Sequence, residues 1–178
     1  EGDVYRDARP YEVGMTGGQP RRIHGAFGRN AVRSPDGSTI AFVRGASSWS
    51  RRHYRGPDAR DIWLYRPADD SFEQLTDWEG NDGRPRWADA DHVLYLSDRE
   101  RGTMNLYRHS IGTEGGQIEP LTRFEDRDVT SFDVTPDGRT AILQRWDTLY
   151  RLDLTDPEAV PVPIVLWASE DELDDEKM

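Results

Sequence analysis

The sequence predicts an all-β chain, a partial β-propeller of about three and a half four-stranded antiparallel blades. Three observations predict it. The first is a unit of a turn and three short strands. Ser34-Pro35-Asp36-Gly37 leads into Thr39-Ile40-Ala41-Phe42-Val43, then Asp61-Ile62-Trp63-Leu64-Tyr65, then Phe72-Glu73-Gln74-Leu75-Thr76. The second is that the unit recurs. One copy runs from Trp87-Ala88-Asp89-Ala90-Asp91 through His92 to Ser97 and Asn105-Leu106-Tyr107 to Pro120-Leu121-Thr122. Another runs from Thr135-Pro136-Asp137-Gly138 through Ala141-Ile142-Leu143 and Thr148-Leu149-Tyr150 to the weaker close at Val160 to Ile164. The third is the spacing: Tyr65, Tyr107 and Tyr150 step by 42 and 43 residues, and the Leu-Thr pairs at 75 and 121 step by 46. A four-stranded blade cannot bury both faces alone, so such units stack on neighbours around an axis.

The elements follow in order. Residues 1–29 read as the back half of a first blade, with Tyr11 to Met15 as a strand, Gly17-Gly18 as a turn and Pro20 to Ile23 as the closing strand. A second blade covers 30–76. Its Pro35-Asp36-Gly37 turn has a mechanism: Pro presets φ, Asp bonds the backbone ahead of it, and Gly accepts φ > 0. The link before Asp61, residues 44–60, is a long basic insertion, where the equivalent link in the next copy is only Asp98 to Met104. Long loops in compact repeats are where function concentrates. A third blade covers 77–122, with a shortened turn at Ala88 to Asp91, a turn at Glu100-Arg101-Gly102 and a last hairpin at Gly115-Gly116. A fourth covers 123–165, with Trp146-Asp147 as its tight turn, and 166–178 reads as an acidic tail expected to be flexible. A closed propeller needs about four to eight blades, so a piece of a longer protein is expected. The start at Glu1 agrees with that.

Strand alternation makes Ile40, Phe42, Ile62, Leu64, Val93, Tyr95, Leu106 and Leu149 candidates for blade-to-blade packing. Trp63, Trp87 and Trp146 read as core or inter-blade aromatics. In 178 residues, 34 Asp+Glu stand against 23 Lys+Arg, a net charge of −11, which argues against a nucleic-acid partner. There is no cysteine and no run of 18 apolar residues, so neither a disulfide nor a membrane-spanning helix is expected. The compartment stays open between cytoplasm and periplasm, with the cytoplasm slightly favoured.

No catalytic motif can be assembled: no GxSxG, HExxH, P-loop or GxGxxG occurs. The spacing of His24, His53, His92 and His109 suits no metal, and they read as surface or hydrogen-bonded rings. The run Asp77 to Gly83 (DWEGNDG) fails calcium-loop spacing and reads as a solvated inter-blade loop. No cofactor or metal is expected. The one local concentration of positive charge is Arg51-Arg52-His53-Tyr54-Arg55. It has two readings. Forked guanidinium groups at Arg51, Arg52 and Arg55 suit capture of a carboxylate such as a peptide C-terminus. Equally, the arginines could pair with Asp58, Asp61 or acids of the neighbouring blade.

The SPDG…IAFV…DIWLY…QLT unit resembles the repeats of TolB-type and tricorn-type β-propellers. The insertion Arg51 to Gly56, the run Gly80-Asn81-Asp82 with Arg86-Trp87 and Tyr95 to Arg99, and the stretch Asp126 to Val129 narrow the resemblance to the first propeller of tricorn proteases, over about residues 10–165. It implies a six-bladed propeller in a multidomain serine peptidase whose catalytic residues lie in later domains. It also implies that the propeller is a non-catalytic guide for peptide substrate or product. The family's basic residues proposed to hold a substrate's C-terminal carboxylate match Arg51 and Arg52, with Arg55 beside them. Expected partners are peptides and the remaining blades and catalytic domains, with self-association of this chain through its open blade faces. A stand-alone TolB-like interaction module and the propeller of a prolyl-oligopeptidase-like enzyme are the alternatives.

Overall fold

The computed structural model describes residues 8–48, 51, 53–100, 102–112 and 116–166. Arg52, Arg101, Gly115 and most of the acidic tail lie outside the described residues. Among the described residues there are fourteen strands, paired antiparallel with sequence neighbours within each of four sheets. β1 (Tyr11–Glu12) and β2 (Arg21–Arg22) form a two-stranded sheet. Three four-stranded meanders follow. The first is β3 (Arg29–Arg33), β4 (Ile40–Arg44), β5 (Asp61–Arg66) and β6 (Ser71–Gln74). The second is β7 (Asp82–Trp87), β8 (His92–Ser97), β9 (Asn105–Ser110) and β10 (Ile118–Pro120). The third is β11 (Ser131–Val134), β12 (Thr140–Arg145), β13 (Thr148–Asp153) and β14 (Val162–Pro163).

β7 lies against β3, β4 and β5 of the sheet before it and against β11 of the sheet after it. The first strands are therefore the inner ones, and the exposed fourth strands form the rim. This is the blade arrangement of a propeller, open at both ends.

The period-2 alternation of the strands decides which sheets touch. Ala41, Ile62 and Leu64 meet Trp87, Val93, Tyr95 and Tyr107 between the first and second sheets. From the opposite face of the second sheet, Leu94, Leu96 and Leu106 meet Phe132, Ala141, Leu143 and Leu152 of the third. Ile40, Phe42 and Tyr65 instead face back onto Ile23 and Ala26. Burying each large apolar side chain contributes about 1.5–3 kcal/mol. Leu149 departs from the expectation and is exposed, because no described sheet packs on the outer face of the third. Trp87 is buried and its indole Nε1 donates to the Val32 carbonyl at 3.1 Å, tying the second sheet to β3. Trp63 packs at the edge of the first core. Trp146 is not a core residue: it sits at the β12–β13 turn with φ 56° and is 67 % exposed, under the Arg127 guanidinium.

The hydrogen bonds give each Leu-Thr pair a physical reason. The Ile62 carbonyl accepts from the amides of Leu75 and Thr76, and the Thr76 hydroxyl accepts from the Ile62 amide at 2.9 Å. Leu106, Leu121 and Thr122 repeat this pattern. In the third sheet the Leu149 carbonyl accepts from Ile164. The structural frame therefore equates Asp61, Asn105 and Thr148, and with them Trp63, Tyr107 and Tyr150. The tyrosine frame of the sequence slips by two residues in the first sheet. A slip of two leaves every side chain on the same face, which is why it is invisible to a polar–apolar pattern.

Two of the four histidines also differ from expectation. His92 pairs with Asp89 at 2.8 Å and His53 is exposed. His24 and His109 are buried. His24 is wedged against Phe42 and Tyr65 with centroids 4.5 and 4.9 Å away, and burial pushes its pKa down.

Candidate functional site

The long insertion is built onto the fold by three attachments. Ser47 donates its amide to the Asp58 carbonyl at 2.9 Å, closing the loop on itself. The Ser47 hydroxyl bonds the Asn81 side chain, and the Asp82 amide donates to the Arg60 carbonyl at 2.7 Å. The third attachment is Arg55, whose guanidinium pairs with Asp98 at 3.1 Å and with Glu79 at 3.8 Å, over the Trp78 ring. Of the two readings for this arginine, pairing with an acid of the neighbouring blade is the one realised.

Asp98 collects several donors. Its carboxylate accepts from the Trp78 indole at 2.9 Å, the Asn81 amide at 2.9 Å and Arg55. Burial opposes its ionisation, but the Asn81 amide, the Trp78 indole and Arg55 together hold its carboxyl below the usual range. The DWEGNDG run is thus not a solvated loop. Gly80, Asn81 and Asp82 are buried, and a Cβ on Gly80 would stand 2.2 Å from Asp98 Oδ1. The donors of Asp98 and the insertion converge there, which a count of polar residues reads as solvent-facing.

Beneath this polar cluster lie two carboxyls at the start of β5 and β7. Asp82 is fully buried and pairs with Arg99 at 2.8 Å, whose guanidinium lies over the rings of Tyr95 and Tyr107. Burial pushes the Asp82 carboxyl up against the pull of Arg99. Asp61 is pushed up to about 6 by burial first, then by the charges of Asp82 and Asp77. These groups serve the blade junction, and among the described residues no group of three or more His, Asp or Glu side chains could hold a metal ion.

Two cavities open on the loop side of the inner strands. The first, about 440 Å³, is lined by Arg51 and His53 of the insertion, by Leu96, Met104 and Val129, and by the acids Asp98 and Asp128. The second, about 660 Å³, is walled by β3 and the start of the insertion, with Arg29, Arg44 and Asp58 in its lining. Arg60 and Arg84 line both. Arg51 is exposed and stacks on Tyr54 at 4.1 Å. Arg60 lies half-buried with its Nε 3.4 Å from Asn81 Oδ1. Burial and the neighbouring charges of Arg84 and Arg29 hold its pKa below the ordinary arginine value.

Backbone geometry sets the arginines of the inner strands. β3 and β7 each carry a bulge at the same place in the repeat. Asn30 and Ala31 stand opposite the single residue Phe42, and Arg84 and Pro85 opposite Tyr95. Asn30 and Arg84 have φ of 54° and 55°, a conformation L residues rarely take. Pro85 fits because the bulge asks for no ladder amide. A bulge re-aims the side chains next to it, and here those are Arg29 and Arg84. Arg29, Arg60 and Arg84 were outside the motif-based expectation, which had only Arg51, Arg52 and Arg55. Their sequence signal is weak: the pairs Arg29-Asn30 and Gly83-Arg84 share a position in the repeat.

Stacked four-stranded meanders with their first strands innermost define a partial β-propeller. Residues 2–158 match the family described as the tricorn protease N-terminal beta propeller domain, and the chain belongs to that family. None of the curated proteins matches the chain. Among solved structures, the crystal structure of the tricorn protease is similar at a TM-score of 0.68 and 15% identity, over 89% of this chain and 15% of that one. TolB from Acinetobacter baumannii is similar at 0.64 and 21% identity, over 89% and 39% of the two chains. A putative TolB from Agrobacterium tumefaciens is similar at 0.66 and 17%, over 89% and 57%. At these identities the likeness shows the fold. The chain spans 15% to 57% of these structures.

Proposed function

We propose that this propeller is a non-catalytic peptide-binding element of a tricorn-like serine peptidase, guiding peptide substrate or product. The observation that carries the reading is the first cavity. Its apolar wall of Leu96, Met104 and Val129 suits a peptide side chain, and the insertion sets Arg51 at its edge with no carboxylate partner among the described residues. A forked guanidinium at a half-apolar cleft is the chemistry for a peptide's C-terminal carboxylate. Arg51 and Arg52 take that carboxylate in this reading. Arg55 acts on the ligand only through the loop, which its pair with Asp98 fixes in place.

The test is a titration of short peptides with free or amidated C-termini against the parent chain and the Arg51→Ala/Arg52→Ala variant. The expected result is binding that needs both the free carboxylate and the two arginines, with a loss of about ten-fold or more for either change. Equal binding of free and amidated peptides would move the weight to a TolB-like protein-interaction module.

A further inference from the structure

The second cavity is unlike the rest of this acidic molecule. Its lining holds four arginines and a single carboxylate, Asp58. Arg66, Arg86, Arg99, Arg108 and Arg145 each pair with an acid of the chain, while exposed arginines such as Arg51 and Arg127 lie over aromatic rings instead. Arg29, Arg60 and Arg84 have no carboxylate within ion-pair distance among the described residues, although Asp+Glu outnumber Lys+Arg by 34 to 23. The three are close enough for Arg84 and Arg29 to disfavour the charge on Arg60. Asp98 and Asp82 offset part of this repulsion from a distance, but four arginines against the one carboxylate of the cavity lining, in a chain rich in acids, mark a place kept for an external anion. The paired bulges that aim Arg29 and Arg84 support this, because backbone outliers collect at ligand clamps.

The anion's source follows from the shared wall. Arg60 and Arg84 line both cavities, so a peptide seated in the first reaches the arginines of the second without leaving the surface. A planar guanidinium fork matches a carboxylate in two-point contact. We propose that Arg29, Arg60 and Arg84 form an anion subsite for the side-chain carboxylate of an aspartate or glutamate in the bound peptide, so that acidic peptides are the preferred ligands. The proposal rests on the peptide-binding reading and adds to it a second carboxylate, held by different residues.

The test uses three versions of one short peptide: a glutamate next to a free C-terminus, glutamine in its place, and the glutamate peptide amidated. They are titrated against the parent chain and the double variant Arg29→Gln/Arg84→Gln. Both positions are exposed, so the variant keeps the fold, which an unchanged thermal midpoint confirms. The expected result is that the glutamine peptide binds the parent about ten-fold more weakly than the glutamate peptide, and that this preference disappears in the variant. Binding of the glutamate peptide should weaken as salt rises. Equal affinity for the glutamate and glutamine peptides, with amidation still abolishing binding, overturns the subsite and leaves the peptide reading standing. A glutamate preference with no effect of amidation supports the subsite and removes the role given to Arg51 and Arg52. Inorganic phosphate that displaces the glutamate peptide more effectively than unlabelled peptide does makes this a free-phosphate site and overturns the proposal. No binding of any peptide by the folded protein overturns both.

Discussion

Replacing Asp61 with Asn should stabilise the chain at neutral pH and leave it nearly unchanged in acid. Asp61 begins β5 where Asn105 begins β9, and the two occupy the same place in the hydrogen-bonded frame. Asn105 is satisfied on every side. Its Oδ1 accepts from the Thr122 hydroxyl and the Phe124 amide, both at 2.8 Å, and its Nδ2 donates to the carbonyls of Thr103 and Phe124. Asp61 leaves Oδ1 buried without a partner and faces the charge of Asp82. Its carboxyl is raised from an ordinary 3.8 to about 6. The folded state therefore holds a proton that the unfolded chain has released, and stability from this group falls as pH rises from about 4 to 6. A fully shielded group would contribute about 3 kcal/mol. Asp61 is half-buried, and solvent screening reduces this to about 1 kcal/mol. Urea unfolding at pH 4, 5, 6 and 7 should show the Asn variant and the parent converging at the acid end and separating by about 1 kcal/mol at the neutral end. A difference independent of pH, or a variant less stable at pH 7, would mean that Asp61 is not held protonated by its burial.

Further outcomes are expected. Gly138→Ala should destabilise by at least about 2 kcal/mol, because its φ of 71° disfavours a side chain and the new Cβ would stand 2.0 Å from the Ala88 carbonyl of the second sheet. Gly37→Ala, in the matching turn at φ 78° with open space around it, should cost only about 1 kcal/mol, and thermal unfolding separates the two. Thr122→Val should cost about 1–3 kcal/mol in the same assay, since the Leu106 amide and Asn105 Oδ1 both lose the hydroxyl. Asp98→Asn should loosen the insertion, read as faster proteolysis within 48–57. In the parent, the same release should come only as pH falls below the ordinary carboxylate range, because the Asp98 pKa is lowered. The third sheet leaves Leu149, Val160 and Val162 uncovered, so the chain should self-associate in sedimentation, and a strictly monomeric folded species would contradict this.

The blades were legible because their signals are local. A Ser-Pro-Asp-Gly or Thr-Pro-Asp-Gly turn makes its own hydrogen bonds: the Gly37 amide bonds the Ser34 carbonyl, and Gly138 bonds Thr135 in the same way. The closing threonines bond within their own sheet. What escaped the sequence depends on neighbouring sheets. Leu149 has the same alternation as Ile62 and Leu106, and only the lack of a described sheet beyond it leaves it exposed. Asn81 and Asp82 look solvent-loving until the insertion covers them. Arg55 was legible as a cation, while its acid, Asp98, lies on the next blade. Arg29, Arg60 and Arg84 are far apart along the chain and become a cluster only when β3 and β7 stand side by side.

The most direct test is to map a short acidic peptide with a free C-terminus onto the backbone amides by chemical-shift changes. The largest changes should fall at 29–30, 51–60, 81–84, 102–104 and 128–130, around the two loop-side cavities. Changes confined to the outer strands β6, β10 and β14, with those residues silent, would contradict peptide binding at these cavities.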